Sequence, residues 1–310
     1  MRHSSRRFAA VLGAAWFVAI SQSAGACAAN QAPSTVAGPA AVTALQTRIV
    51  TTLAGDTEIR PGVKIANRTT PENKVEARTY LVGLLKQFGL ESKRQAYSAE
   101  GENIYAMLLC GRPSAELIVI GAHYDSARNS PGANDDATGV AAVAAVAEQL
   151  VRVKRRTRDV AIVFFDEEER GLRGSRAFAQ WLKDEKRNVH SVHTIDQMGW
   201  DQDGDRAIEL ELPYEGAREL YAAGAAALKM TIQMHVTTEA GSDHSAFRRL
   251  GFKAVGLTEE YRNKDTTPFI HRPGDTANTV DFAYLASTTR LFEKVIETLA
   301  TSRPEQKPPS

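Results

Sequence analysis

"ELIVIGAHYDS" (residues 116–126) opens on an unbroken apolar run and ends in a histidine and an aspartate. A strand with one wet face alternates apolar and polar residues. A continuous run has no wet face and reads as a strand covered on both sides. "RDVAIVFFDEEE" (158–169) has the same form, and "SVHTIDQMGW" (191–200), "FKAVGLTEE" (252–260) and "NIYAMLLCG" (103–111) read as further strands. Helical patterns lie between them. Residues 70–89 begin with a capping-like Thr-Pro, place Val75, Tyr80, Leu81, Leu84 and Leu85 at helical spacing, and stop at Gly89. Val140, Val143, Ala144, Ala147, Leu150 and Val151 are spaced as on a second helix. Strands alternating with helices predict an α/β fold: one doubly wound, mostly parallel mixed sheet with helices on both faces. In such sheets, ligands bind beyond the carboxyl ends of the strands.

The chain of 310 residues shows no internal repeat, so one domain is expected over 41–302, with a linker over 29–40 and a polar tail over 303–310. A formal net charge of +1 makes no electrostatic case for nucleic acid. The N-terminus reads as a secretory signal peptide over 1–28: basic "MRHSSRR", apolar "FAAVLGAAWFVAI", then small residues. The apolar run is too short for a stable membrane span. Cleavage after Ala26 or Ala28 fits, and export to the periplasm or medium follows. The alternative is a lipoprotein anchored through Cys27, although Ala24 stands where a lipobox usually has Leu. Cys110 is the other cysteine, so the mature chain is expected to hold no internal disulfide and no cysteine zinc site.

The polar residues fall at strand ends. One apolar run ends in "HYD", one in "DEEE", one in "DQMG", and "GANDD" lies in the loop after the first. Gathering that many carboxylates at one point is unfavourable unless cations neutralise them. Histidine, aspartate and glutamate without cysteine suggest zinc held by nitrogen and oxygen ligands, open for chemistry. Within "PGANDDATG" (131–139), one aspartate can bridge two metal ions roughly 3.5–4 Å apart while the other caps the following helix. Small residues in that loop allow close backbone approach.

In this order, "HYDS", "PGANDDATG", "DEEERGLRGS", "IDQMG", "SDHSAF" and "IHRPGDT" resemble the motifs of the co-catalytic di-zinc aminopeptidases, from about residue 100 to residue 285. The resemblance implies two zinc ions per chain at the edge of a single domain, acting on peptides with a free N-terminus. It implies that His123 and Asp196 hold one zinc, Glu169 and His271 the other, and that Asp135 bridges them. By the same resemblance Asp125 orients the His123 imidazole and Asp136 keeps a capping role. Counting back from "GLRGS" makes Glu168 the general base and leaves Asp166 and Glu167 as support or solvated surface. Asp243 and His244 are expected near the site as supporting residues. His3, His190, His193 and His235 match nothing in the family pattern, and no oxyanion donor is identified. The implied activity is a zinc-dependent aminopeptidase. A glutaminyl cyclase of related fold, or a binding domain that has lost its metals, are the competing readings.

Overall fold

The apolar runs stack side by side. In chain order the strands are β1 (Ser92–Ala96), β2 (Glu102–Leu108), β3 (Leu117–His123), β4 (Asp159–Phe165), β5 (Val189–Ile195), β6 (Ile208–Glu211), β7 (Met234–Thr237) and β8 (Ala254–Thr258). They form one sheet in the order β1-β2-β4-β3-β5-β8-β6-β7. The computed structural model describes residues 38–113 and 115–303; the expected signal peptide, Cys27 and most of the polar tail lie outside them. β4, β3, β5 and β8 are parallel neighbours. β1 and β2 add an antiparallel edge beside β4, and β6 runs antiparallel to β8 with β7 parallel to it.

The helices are α1 (Pro39–Leu53), α2 (Pro71–Gln87), α3 (Gly139–Leu150), α4 (Arg173–Asp184), α5 (Ala217–Ala227), α6 (His244–Arg249) and α7 (Phe282–Thr301). Every residue of β3 and β4 is buried, as the unbroken apolar runs require. Their side chains alternate between two cores. Ile118, Ile120, Val160 and Ile162 join α1, α2, α3, α5 and α7 on one face. Leu117, Val119, Ala161 and Val163 join α4 and α6 on the other.

Some expectations need adjusting. Val75 was placed on the apolar face of α2 yet is 52% exposed; that face is carried by Ala77, Leu81, Leu84 and Leu85. In α3 the intervening alanines are buried too, because the helix lies between the sheet and α1 and α7. Pro39 and Ala40, assigned to the linker, already belong to α1, with proline in the first turn where its missing N–H costs nothing. β1, β6 and β7 were not anticipated, being only four or five residues long. His193 is a core residue. Its ring nitrogens meet Tyr221 Oη and Ser191 Oγ at 3.0 Å, and burial holds its pKa down at about 3, so it stays neutral.

One buried cation ties the parallel strands to the loops beyond them. Arg68, in the loop before α2, is 0% exposed. Its Nε donates to the Tyr124 carbonyl at 2.6 Å, Nη1 to Leu53 and Pro131 at 2.8 and 2.6 Å, and Nη2 to Gly132 at 2.8 Å. The end of α1, the exit of β3 and the 131–132 loop are thus joined through one planar fork. The clamp needs close approach. Gly132 has φ +67°, and a Cβ there would lie 2.6 Å from Arg68 Nη2 and 2.5 Å from the Asp135 carbonyl oxygen. Lysine keeps the charge but cannot reach four carbonyls arranged for a guanidinium. Arg68→Lys should therefore cost about 3 kcal/mol or more, because each stranded buried carbonyl costs about 1–3 kcal/mol. Urea unfolding checks this: the midpoint should fall with little change in slope, and an unchanged midpoint contradicts the clamp.

Candidate metal centre

Because β4, β3 and β5 are parallel neighbours, their polar ends emerge at one edge of the sheet. β3 ends at His123 with Asp125 two residues on, β4 is followed by Asp166–Glu169, and β5 by Asp196. Asp135 arrives on the turn between β3 and α3 (Ala133–Thr138), where Asp135 and Asp136 leave helical backbone angles and are joined by a cis peptide. His271 arrives on the segment after β8.

His123, Asp125, Asp135, Glu168, Glu169, Asp196 and His271 come together there. Asp135 stands between two imidazoles: its Oδ1 is 3.2 Å from His123 Nε2 and its Oδ2 is 3.2 Å from His271 Nε2. On the first side Asp196 Oδ1 is 3.5 Å from His123 Nε2; on the second Glu169 Oε2 is 3.2 Å from His271 Nε2. Glu168 lines the same cleft as Asp135, Glu169, Asp196 and His271. Possible ligand atoms of Asp135, Glu169 and His271 lie within 4.8 Å of one another, and so do those of His123, Asp136 and Asp196.

The electrostatics of this cluster favour a cation. Burial opposes charge on His123, but Asp196, Asp125 and Asp135 outweigh it and hold its pKa well above the usual histidine value. His271 is exposed, and hydrogen bonding to Asp135 and Glu169 lifts it to about 10. Burial also opposes charge on Asp135, yet the two histidines hold it below the usual carboxylate range. Glu168 and Glu169 are pushed up, chiefly by burial. Both ring nitrogens of His123, Asp135 Oδ2, Glu169 Oε1 and Asp196 Oδ1 are buried without a hydrogen-bond partner of good geometry. Buried polar atoms are rarely left so, and histidine and carboxylate donors without cysteine suit an open zinc site. The residues present fit a pair of metal ions.

The surroundings explain how the cluster is held. Asp125 Oδ1 lies 3.4 Å from His123 Nδ1, while its two oxygens accept the backbone N–H groups of Glu168 and Glu169 at 3.1 and 3.3 Å. One carboxylate therefore links the histidine to the glutamate turn. Asp136 Oδ1 accepts the Gly139 N–H at 2.8 Å at the start of α3, and the Gln197 N–H at 3.3 Å beside Asp196. Asp166 and Glu167 are buried support rather than solvated surface. Lys74 of α2 reaches both, at 3.2 and 3.3 Å. Glu167 adopts φ +56°, a left-handed turn that sends its side chain to Lys74 and away from the neighbouring Glu168 and Glu169 in the cleft. Asp243 is buried next to the site, and burial pushes its carboxyl up to about 7.

Two supporting carboxylates were missed in the sequence. Asp275 accepts the backbone N–H groups of Asn134 and Asp135 at 2.7 and 3.1 Å, which positions the bridging residue directly. Glu259 is a buried hub. It accepts from Asn134 Nδ2, the Gly199 and Trp200 amides, Thr266 Oγ1 and the Thr267 amide, joining three loops around the site. Glu259 follows β8 just as the other site carboxylates follow β3, β4 and β5, so the strand-end rule already contained it.

The profile of Peptidase family M28 matches residues 103–296. Among curated proteins, "Probable lipoprotein aminopeptidase LpqL" of Mycobacterium tuberculosis H37Rv is 30% identical over 182 residues, covering 54% of this chain and 36% of that protein. The chain thus spans about a third of the length of this relative. Among solved structures, LapB of Legionella pneumophila superposes with a TM-score of 0.72 at 23% identity, over 86% of this chain and 73% of LapB. BSAP of Bacillus subtilis, described as a zinc aminopeptidase, gives 0.59 at 21% identity over 63% and 49%. A glutaminyl cyclase of Bacteroides thetaiotaomicron gives 0.65 at 18% identity over 82% and 97%. At these identities the superpositions speak for the shared α/β fold, and the profile, spanning β2 to α7, speaks for descent: the chain belongs to peptidase family M28.

Proposed function

We propose that this protein is an exported, zinc-dependent aminopeptidase carrying two zinc ions per chain. The observation that carries the reading is Asp135, with one oxygen 3.2 Å from His123 and the other 3.2 Å from His271. That arrangement supports a two-ion peptidase over a single-zinc cyclase and over a binding domain without metals. His123 and Asp196 would hold one ion, Glu169 and His271 the other, and Asp135 both. When bound, a zinc pair polarises the scissile carbonyl and makes a bridging water acidic at neutral pH. Glu168 would take a proton from the attacking water and deliver it to the departing amine; burial raises its pKa. Asp125 keeps the glutamate turn and His123 in register. Among the described residues no lysine or arginine lines the cleft, while Glu168, Asp196, Glu211 and Glu239 do, which suits a substrate with a free, positively charged N-terminus. No helix of the described residues is long and apolar enough to cross a membrane, and export rests on the N-terminal signal or on a lipid at Cys27.

Metal removal tests the dependence. A chelator should abolish hydrolysis of a leucine anilide and added zinc should restore it; activity that survives complete chelation contradicts the reading. Glu168→Gln should lower turnover by about 10²–10⁴-fold, the usual share of general acid–base catalysis, with zinc content unchanged.

Glu169→Gln should lose zinc first, with activity partly recovered in excess metal. Glu167→Gln should lower thermal stability through its buried contact with Lys74 while keeping zinc. Zinc analysis and turnover measured in parallel on the three variants separate the roles. Full activity in Glu168→Gln, or a dead Glu167→Gln with normal stability and zinc, contradicts the assignment.

A further inference from the structure

The cleft beside the metal ligands is a cavity of about 350 Å³, room enough for a side chain as well as the reacting peptide unit. Leu172, Tyr261 and Ile270 give it apolar wall, and Gly171 and Gly241 keep it open. Its acidic lining includes two carboxylates outside the metal cluster, Glu211 and Glu239. Glu239 is already compensated: Arg262 meets its Oε2, and the Ala240 amide donates to Oε1 at 3.1 Å.

Glu211 is different. It closes β6, is 4% exposed, and packs where a Cβ on Gly256 of β8 would lie 2.7 Å from its Oε2. Its nearest polar side chain is His244, with Nδ1 3.5 Å from Oε2, and the Arg262 charge acts on it from farther off. The other ring nitrogen, Nε2, is 3.0 Å from the Glu239 carbonyl oxygen. A carbonyl only accepts, so Nε2 carries the proton and Nδ1 of the neutral ring turns a lone pair toward Glu211. Burial favours that neutral ring by lowering the His244 pKa, and it pushes the Glu211 carboxyl up to about 8. Burial thus keeps this carboxyl group largely protonated at neutral pH while the cleft is empty, and a cation brought by the ligand would ionise it and pair with it.

We propose that Glu211 makes this enzyme selective for substrates whose first residue is lysine or arginine. The inference rests on the aminopeptidase reading above. The methylene stem of such a side chain would lie against Leu172, Tyr261 and Ile270, with its charge on Glu211. A leucine at the same position fills the apolar part and brings no charge to Glu211.

The test is kcat/KM for lysine, arginine and leucine anilides with zinc-loaded wild-type protein and with Glu211→Gln. The wild type should favour lysine and arginine over leucine. In Glu211→Gln the lysine-to-leucine ratio should fall at least about tenfold, the scale expected when one partner of a buried charge pair is removed. A wild type that favours leucine overturns the inference while leaving the aminopeptidase reading standing. So does a variant that loses both substrates in parallel with the ratio intact, because Glu211 would then be structural or would hold the α-amino group. No hydrolysis of any anilide overturns the underlying reading and the inference with it.

Discussion

Asp135 faces two imidazoles at once, and the rest of the site is built to keep it there. Its carboxylate is buried beside Glu168, Glu169, Asp196 and Asp136, an accumulation of negative charge that a protein interior does not tolerate uncompensated. The two histidines compensate it only in part: they hold Asp135 down, while Asp136 and Glu168 stay pushed up. His123 keeps both ring nitrogens without a good hydrogen-bond partner, and Asp196 and Glu169 each keep a bare oxygen. In the proposed reading the same atoms form a two-sided cage for cations. Stability and chemistry depend on the same unpaired atoms.

Position in that cage comes from backbone contacts. Asp275 holds the amides of Asn134 and Asp135, Asp125 holds those of Glu168 and Glu169, and Asp136 holds that of Gln197. Each supporting carboxylate therefore grips the main chain at or beside a proposed ligand, so side-chain aim follows from loop geometry. Glu259 ties the loops at Asn134, Gly199–Trp200 and Thr266–Thr267 together, and Arg68 anchors the loop that carries Asp135 to the end of β3. Buried cations recur beside the site. Arg68 and Lys74 line a second cavity with Asp125, Glu169 and His271, and Lys74 takes up Asp166 and Glu167. Glu168 and Glu169 are left facing the cleft.

Much of this was legible in the residues. Unbroken apolar runs predicted the parallel centre of the sheet, and those runs ended in the site's histidine and carboxylates. The ordered motifs then implied five ligands, and the structure brings those five together with Asp125 and Glu168. Legibility stopped where a residue's partners are main-chain atoms far away in sequence. Nothing around Arg68 in "NRTTP" announces four carbonyl acceptors, since those lie on three separate segments. Lys74 was closer to readable: it stands seven residues before Leu81 on the buried face of α2, where a charge calls for a partner. β1, β6 and β7 were hidden by their brevity, and Val75 by the assumption that every apolar residue at helical spacing faces the core.

Diffraction from zinc-loaded crystals at the zinc absorption edge tests the central claim most directly. The account predicts two anomalous peaks flanking the Asp135 carboxylate, one beside His123 and Asp196 and one beside Glu169 and His271. A single peak that leaves either histidine without metal, or no peak at this edge of the sheet, contradicts it.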